Sequence, residues 1–460
     1  MGVTEKLAQF VVGTDHDSLP EEVVTAAKRA VLDTLAVTIA GCGEEAAAII
    51  TAYVRELGAA AEAGVVGSGF QTAASEAALA NGTLAHALDY DDVSMSMLGH
   101  PSAPLLPAVL ALAEKMRAPG KDVIVAFLVG FEVECKVGSA IGASHYARGW
   151  HPTATLGTLG AATACAKLLR SDLAATRAAL GIATSLAGGT RQNFGTMSKP
   201  LHAGIAARNG VMAASLAARG FTADASIIEA PLGFLHLFGV GDHDAEKAMA
   251  SLGQPFDIIS PGIGVKLYPC CYESHRALDA VLQLQKEANI ELRRIARVEA
   301  RLSRGTAIPL IHHRPQTGLE GKFSMEYCLA AALLDGKIDL ASFSDEAVQR
   351  PQAQELLRRV EMVEEEQGQP IVGPATVTVI LDDGSQHSRR VETPGGDPKA
   401  PLTWEELVAK YKDCAAGILP DAATARSVEI IADLEAAADV GELMGIVCLT
   451  SPGAEAPGAK

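Results

Sequence analysis

The chain has 460 residues, of which 48% are apolar, and a formal net charge of −17 at pH 7. That length exceeds one ordinary hydrophobic core and predicts two or three domains. The negative charge argues against nucleic acid or an anionic membrane as a partner, because both attract basic surfaces. Since the chain has no run of about eighteen apolar residues, we expect a soluble, cytoplasmic protein with no membrane partner.

The first 250 residues predict a succession of helices that are rich in alanine and glycine. Ser18 and Glu21 have the spacing of a capping box at the start of the first clear helix. Because small side chains let helix axes approach closely, these segments predict a compact body of many helices. The predicted helices cover residues 21–41, 74–88, 106–116, 121–142, 153–169, 173–188 and 203–220.

The pattern changes after about residue 265. Residues 296–304 alternate like a half-buried strand, and residues 375–393 predict two strands joined by a turn at Asp383-Gly384. Between them, residues 344–360 predict a helix with a proline near its start. This block is therefore predicted to be α+β.

Helix returns near the C-terminus. Thr403 and Glu406 form a second capping-box pattern, followed by helical patterns at 407–418 and 427–447. The last ten residues, 451–460, are small and polar and are expected to be disordered.

The cysteines and short motifs argue against a bound metal. The eight cysteines contain no C-x-x-C pair, and the adjacent Cys270 and Cys271 would form a badly strained disulfide. The chain also has no H-E-x-x-H motif and no glycine-rich phosphate loop. The acidic run from Asp89 to Asp92 could bind Mg²⁺, hold a histidine in one tautomer, or cap a helix end; with no second acidic motif, we expect no metal.

Four clusters combine titratable side chains with turn residues. They lie at residues 86–102, 149–153, 191–210 and 266–276. A proline follows both His100 and His151, which holds each histidine in extended geometry and directs its imidazole off a helix end. Two such histidines, each beside glycine and a hydroxyl residue, favour a functional role over a structural one.

The stretch from Arg191 to Arg208 carries three fixed cations and no carboxylate, in a chain with 55 acidic residues. Lys199 lies before a new helix, and a helix N-terminus with a lysine is a natural seat for a carboxylate or phosphate. The alternative is a chance basic patch whose members pair with acids from elsewhere.

At these clusters the sequence resembles the MmgE/PrpD family, which includes 2-methylcitrate dehydratase, cis-aconitate decarboxylase and iminodisuccinate epimerase. The matching stretches span roughly residues 80 to 335 and include NGTLAHALDYDD, GWHPTATLGTLGAA and KLYPCCYESHRALDA. The resemblance implies a mainly α fold, in which a smaller α+β lid domain is inserted into a large all-helical domain. Residues 1–265 and 401–450 would form the helical domain, 266–400 the lid, and 451–460 a tail. It also implies a homodimer without an organic cofactor or a metal.

The resemblance further implies a set of site residues. The catalytic residues would be Asp89, His100, His151, Lys199, Lys266 and Tyr327. The substrate-binding residues are expected to be Arg191, Gln192, Thr196, His202, His275 and Arg276. One position departs from the family pattern, since Val93 follows the aspartate run where the decarboxylases and methylcitrate dehydratases have threonine.

These residues suit proton transfer next to a carboxylate. The lysines and arginines would stabilise the charge that gathers on the substrate, and His100 or His151 would take the proton. The other histidine, or Tyr327, would act as the acid, and Asp89 would orient a histidine. We therefore predict a lyase acting on a small di- or tricarboxylate, either a dehydratase or a decarboxylase. An epimerase and a non-catalytic carboxylate-binding protein are the alternatives.

Overall fold

The computed structural model describes residues 1–239, 243–288, 290–366 and 373–449, and these divide into two compact units. The first unit contains Met1–Gln192, Ser198–Gly264 and the described residues from Thr403 onward. The second contains Asn193–Met197 and Val265–Leu402. Within the described ranges, no single helix is long and apolar enough to cross a membrane; Glu21–Gly41 with Glu45–Glu56 passes that test only as a pair bent by 89°.

The first unit is helical except for one short hairpin. Its strands, β1 (Ala63–Gly64) and β2 (Gln71–Thr72), pair antiparallel. Its helices, numbered in chain order, are α1 (Val3–Gly13), α2 (Glu21–Gly41), α3 (Glu45–Glu56), α4 (Ala74–His86), α5 (Ser102–Met116), α6 (Gly120–Ile141), α7 (Ala143–Ala147), α8 (Pro152–Leu168), α9 (Leu173–Leu186), α10 (Ser198–Ala217), α11 (Phe234–Phe238), α12 (Ala245–Ala250), α18 (Trp404–Ala415), α19 (Asp421–Ala432) and α20 (Gly441–Val447).

Glycines bring the central helices of this unit into backbone contact. Helix α10 packs along α4 and α8. A Cβ added at Gly82 of α4 would lie 2.9 Å from the Cα of Gly204 in α10, and one added at Gly204 would lie 2.3 Å from the carbonyl oxygen of Leu79. No larger side chain fits at either position without a backbone shift. The close helix packing predicted from the small residues is therefore confirmed, and it sets the C-terminus of α4 beside the N-terminus of α10.

The second unit is built on a four-stranded sheet with the order β4-β3-β5-β6. Strands β3 and β4 are parallel, whereas β5 pairs antiparallel with both β3 and β6. The strands are β3 (Ile295–Leu302), β4 (Val360–Glu364), β5 (Ala375–Leu381) and β6 (Gln386–Val391). The helices are α13 (His275–Ala288), α14 (Gly318–Gly321), α15 (Met325–Asp335), α16 (Asp345–Gln349) and α17 (Pro351–Leu356). The predicted class, mainly α with a smaller α+β part, is confirmed.

Two local predictions are wrong. Ser18 does not cap α2, because its hydroxyl donates to the carbonyl of Asp15 at 2.6 Å. The helix begins three residues later, at Glu21, and its N-cap Pro20 provides no side-chain cap. The helix predicted at 344–360 divides at Pro351, because Arg350 before it adopts extended geometry, and the chain then enters β4. The capping box at Thr403 and the hairpin at residues 375–391 are confirmed. The predicted tail at 451–460 lies outside the described residues.

Candidate active site

Three helix ends carry the histidine-rich cluster of the first unit. His86 is the last residue of α4, His151 is the N-cap of α8, and Lys199 lies in the first turn of α10. The loop after α4 turns sharply because Asp89 adopts a left-handed backbone conformation, with φ of 52°, which aspartate tolerates better than most residues. His100, at the end of this loop, is tied to α8 because its backbone N–H donates to Thr153 Oγ1 at 3.1 Å.

A chain of polar contacts links five side chains in this cluster. The Lys199 ammonium donates to Asp89 Oδ1 at 2.5 Å and to His86 Nε2 at 2.7 Å. His86 Nδ1 lies 2.8 Å from Asp91 Oδ2. The same Asp91 oxygen lies 3.3 Å from His100 Nδ1, and His100 Nε2 lies 3.7 Å from Asp89 Oδ1, which closes the ring of contacts.

Burial decides the charge of His86. Burial, followed by the nearby Lys199 and His100, lowers the pKa of His86 to about 3, although Asp91 opposes this. Burial by itself would raise the pKa of Asp91, but the neighbouring His100 and His86 hold it well below its ordinary value. At neutral pH, His86 is therefore neutral and Asp91 is ionised. His86 then carries its proton on Nδ1, where it donates to Asp91, and Nε2 accepts from Lys199.

His100 is the most exposed member of the cluster. Its side chain is 12% exposed, whereas those of His86, Asp89, Asp91 and Lys199 are at most 4% exposed. Carboxylates stand near both of its ring nitrogens, Asp91 near Nδ1 and Asp89 near Nε2. Such a setting stabilises the protonated imidazole. Of the five side chains of the cluster, that of His100 is the most accessible to solvent.

A second pair of histidines lies beside this cluster. The ring of His151 stacks on that of His86 with centroids 5.7 Å apart, and its Nδ1 lies 3.0 Å from Nδ1 of His202. Burial and then the charge of Lys199 lower the pKa of both, to well below the ordinary value for His151 and to about 4 for His202. Both imidazoles are therefore neutral near pH 7.

Four members of the cluster also have the chemistry of a metal site. His86, Asp89, Asp91 and His100 each offer one ligand atom, and these atoms lie within 4.8 Å of one another. However, the Lys199 ammonium already donates to both His86 Nε2 and Asp89 Oδ1. A metal ion would have to displace this cation from two of the four ligands. The donor set therefore fits an ammonium group better than a metal ion.

The three cations between residues 191 and 208 contact different partners. The Arg191 guanidinium lies 3.9 Å from the centre of the Tyr146 ring and donates to the Tyr146 carbonyl at 2.7 Å, while the neighbouring Gln192 is exposed. Arg208 pairs with Glu76 at 3.0 Å. Lys199 contacts the histidine cluster through Asp89 and His86. Lys199 and Arg208 thus pair with acids that lie far away in the sequence, and one converging cationic seat stays a prediction.

The other predicted residues lie in the second unit, each in its own surroundings. Lys266 is fully buried, and the Thr196 hydroxyl donates to the carbonyl of Asn193 at 2.8 Å. His275 lies between the rings of two tyrosines, and Arg276 donates to the carbonyl of Glu392 at 3.2 Å.

Near Lys266, burial raises the pKa of Glu273 to about 7, against the opposing charges of Arg276 and Lys266. Glu273 is thus a titratable group that the sequence interpretation missed. The sequence feature that could have indicated Glu273 is its position in the fourth cluster, between Lys266 and Arg276.

The Tyr327 hydroxyl has a partner within the second unit. Its side chain is fully buried in the core of the second unit, and its hydroxyl donates to the carbonyl of Ser342. Burial raises its pKa well above the ordinary value. The hydroxyl therefore has a hydrogen-bond partner within the protein, and the donation of a proton from Tyr327 to substrate stays a prediction.

Two site residues were missed by the sequence interpretation, His86 and Asp91. Both stand in the first cluster, and their spacing of five residues across a helix end was the available signal. Asp89 was expected to orient a histidine, yet its shortest contact is with Lys199, and Asp91 is the carboxylate closest to both His86 and His100.

Comparison with known proteins places the chain in one family. Residues 5–246 match the MmgE/PrpD N-terminal domain, and residues 268–436 match the MmgE/PrpD C-terminal domain. The chain is 30% identical to the cis-aconitate decarboxylase of Homo sapiens, over 98% of this chain and 95% of that protein. It is 29% identical to the cis-aconitate decarboxylase of Aspergillus terreus, over 97% and 96% of the two chains. A cis-aconitate decarboxylase-like protein of Aspergillus oryzae is 30% identical over 97% of both.

Proposed function

The chain belongs to the MmgE/PrpD family and is an enzyme of its lyase type, and on that premise we propose that it decarboxylates a small unsaturated tricarboxylate of the cis-aconitate type. The observation that carries the proposal is the ring of contacts among Asp89, Lys199, His86, Asp91 and His100. It holds one lysine cation and one histidine between two carboxylates, and decarboxylation of an anionic substrate needs both a cation and a proton donor.

The reaction needs a charge stabiliser and a proton. The bond from the substrate carbon to the departing carboxylate breaks, carbon dioxide leaves, and the electron pair moves into the conjugated system that ends at a remaining carboxylate. Lys199, held by Asp89 and His86, supplies positive charge for that developing anion. A proton must then be added to carbon, and we assign this step to His100.

Asp91 and Asp89 favour the protonated form of His100 before the reaction. After His100 has given up its proton, it recovers one from solvent, which its partly exposed side chain can reach. A positioned acid of this kind contributes about 10²–10⁴ to the rate.

The alternatives from the sequence have less support. An epimerase of an iminodisuccinate-like dicarboxylate is not favoured, because the relatives above are named as decarboxylases. A non-catalytic binding protein does not suit membership in this enzyme family. Within the lyases, a dehydratase of a citrate-like substrate uses the same groups, and the experiment must distinguish it.

Proton NMR in D₂O, combined with carbon dioxide capture, tests the proposal. The protein is incubated separately with cis-aconitate, 2-methylcitrate and citrate. We expect equimolar carbon dioxide and a five-carbon dicarboxylate carrying one new deuterium from cis-aconitate. Conversion of the methyl doublet of 2-methylcitrate to a methyl singlet, or a vinyl signal from citrate, without carbon dioxide would instead identify a dehydratase. Exchange of a C–H signal without a new product would indicate an epimerase.

A pair of histidine variants checks the assignment of the acid. His100→Gln should lower kcat by about 10²–10⁴, because glutamine cannot donate a proton to carbon. His236→Gln is the matched control, since His236 is an exposed residue of α11 outside the cluster. Equal activity of the two variants would contradict the role of His100.

We also propose a cytoplasmic location and a homodimeric assembly. All eight cysteines are free, which suits a reducing compartment. The dimer is an expectation from the family resemblance, and light scattering of the purified protein would test it.

A further inference from the structure

His151 and His202 face each other through the same ring atom. Their Nδ1 atoms are 3.0 Å apart, and the residues are 2% and 9% exposed. In a neutral imidazole, each nitrogen is either a donor or an acceptor. A hydrogen bond between two Nδ1 atoms therefore requires the proton on Nδ1 of one ring and on Nε2 of the other. The two histidines must be in opposite tautomers.

Both rings are in the neutral form that this reasoning requires. Burial and the charge of Lys199 disfavour the cation at both positions. His151 is also the N-cap of α8, where the positive end of the helix dipole opposes a second positive charge.

The backbone fixes how the two rings meet. The His151 backbone N–H donates to the carbonyl of Gly189 at 3.1 Å. A Cβ at Gly189 would lie 3.4 Å from Cγ and Nδ1 of His202 and 2.8 Å from the Cβ of Ala154. Gly189 also has a φ of +123°, which other residues rarely adopt. Gly189 therefore accepts a hydrogen bond from His151 and, because it has no side chain, leaves room for the His202 ring.

We propose that His202 is a positioning residue that donates its Nδ1 proton to His151 and so keeps the proton of His151 on Nε2. The direction of this hydrogen bond rests on the proposed function. An anionic substrate is stabilised by a donor at His151 Nε2 and would be repelled by a lone pair there. His151 then acts as a neutral hydrogen-bond donor to the charge that develops on the substrate. His202 acts through His151 rather than by binding substrate, which revises the role expected from the sequence.

Nitrogen-15 NMR of histidine-labelled protein, recorded without substrate, tests the tautomers directly. The resonances of His151 are assigned by their absence in His151→Asn. In the wild type we expect Nε2 of His151 to be protonated and Nδ1 to be unprotonated. In His202→Leu the two shifts should move toward those of a tautomer mixture. A wild-type His151 protonated on Nδ1, or shifts unchanged in His202→Leu, would overturn the proposal.

Kinetics with cis-aconitate separate a positioning role from substrate binding. His202→Leu should lower kcat by about 10- to 100-fold, as is typical when a group that orients another is lost, with KM changed by less than about threefold. His202→Asn should recover most of kcat, because its amide can occupy the place of Nδ1, whereas the exposed His236→Asn is the control. A change confined to KM, or no rescue by asparagine, would contradict the positioning role. If the wild type lacks decarboxylase activity but the tautomers are as stated, the proposed function fails and the hydrogen-bond assignment stands.

Discussion

Replacing Asp91 by asparagine removes one charge from the cluster and leaves its shape almost unchanged. The Asp91 side chain is fully buried, and one of its oxygens lies 2.8 Å from His86 and 3.3 Å from His100. Two unit charges 3.3 Å apart attract by about 5 kcal/mol at an effective dielectric constant of about 20. Desolvation offsets part of this attraction. Losing about 3–5 kcal/mol of stabilisation of the imidazolium lowers the protonated fraction of His100, which corresponds to a decrease in kcat of up to about 10²–10⁴.

The neighbouring Asp92 is the matched control for this variant. Burial raises the pKa of Asp92 well above its ordinary value and so favours the neutral carboxyl, so Asp92→Asn removes less charge than Asp91→Asn. Asparagine can still accept the hydrogen bond that the Ser102 backbone N–H donates at 3.2 Å.

Carbon dioxide release from cis-aconitate is measured for both variants, and thermal unfolding confirms that each is folded. We expect Asp91→Asn to lose activity and Asp92→Asn to stay near the wild type. An Asp91→Asn enzyme with kcat within threefold of the wild type would refute the assigned role of the carboxylate.

Three further predictions concern charge, packing and pH. Lys199→Met should lower kcat by at least 10²-fold, because the substrate's charge loses its stabilising cation. It should also lower the free energy of unfolding in urea by about 3–5 kcal/mol, because a buried carboxylate is left without its cation. Lys121→Met, at an exposed position of α6, should change neither quantity. Gly204→Ala should cost about 1–3 kcal/mol in the same assay, because the new Cβ would meet the carbonyl oxygen of Leu79 at 2.3 Å; wild-type stability would contradict the backbone contact. Burial raises the pKa of Glu134 well above its ordinary value, so the folded protein keeps a proton that the unfolded chain loses, and stability should fall as pH rises above about 4.3. In Glu134→Gln, the free energy of unfolding should fall with rising pH by about 1.4 kcal/mol per pH unit less than in the wild type. Equal slopes of the free energy of unfolding against pH in the two proteins would contradict the buried neutral carboxyl.

Local patterns in the sequence were enough for most secondary structure, because helix and hairpin signals lie within a few residues. The helix predicted at 21–41 was found with the same bounds, and the turn at Asp383-Gly384 joins β5 and β6 as expected. The errors came where two local signals competed. Ser18 has the capping spacing, but its hydroxyl is used within its own turn. Pro351 was expected within one helix over residues 344–360, near its start, and instead it divides that segment into two helices.

The residue types of the site could be predicted, but their pairing could not. The run from Asp89 to Asp92 contains three aspartates in four positions, and nothing local distinguishes them. The left-handed conformation of Asp89 and its meeting with Lys199, which is 110 positions away, depend on how α4 and α10 pack. Likewise, Arg208 finds its acid at Glu76, 132 positions away. A count of charges along the sequence therefore could not give the partner of each cation.

Protonation states are harder to predict from the sequence than side-chain pairs, because they depend on burial as well as on pairing. His86 and the exposed His236 have the same side chain, yet burial and Lys199 make His86 a neutral bridge between a lysine and a carboxylate. That burial depends on the contact between Gly82 and Gly204, which lets α4 and α10 approach closely enough for Lys199 to reach His86. Gly82 and Gly204 therefore influence the protonation of His86 only through the packing of α4 and α10. A larger residue at either position would separate the helices, admit water around His86, and weaken the arrangement on which proton transfer by His100 depends.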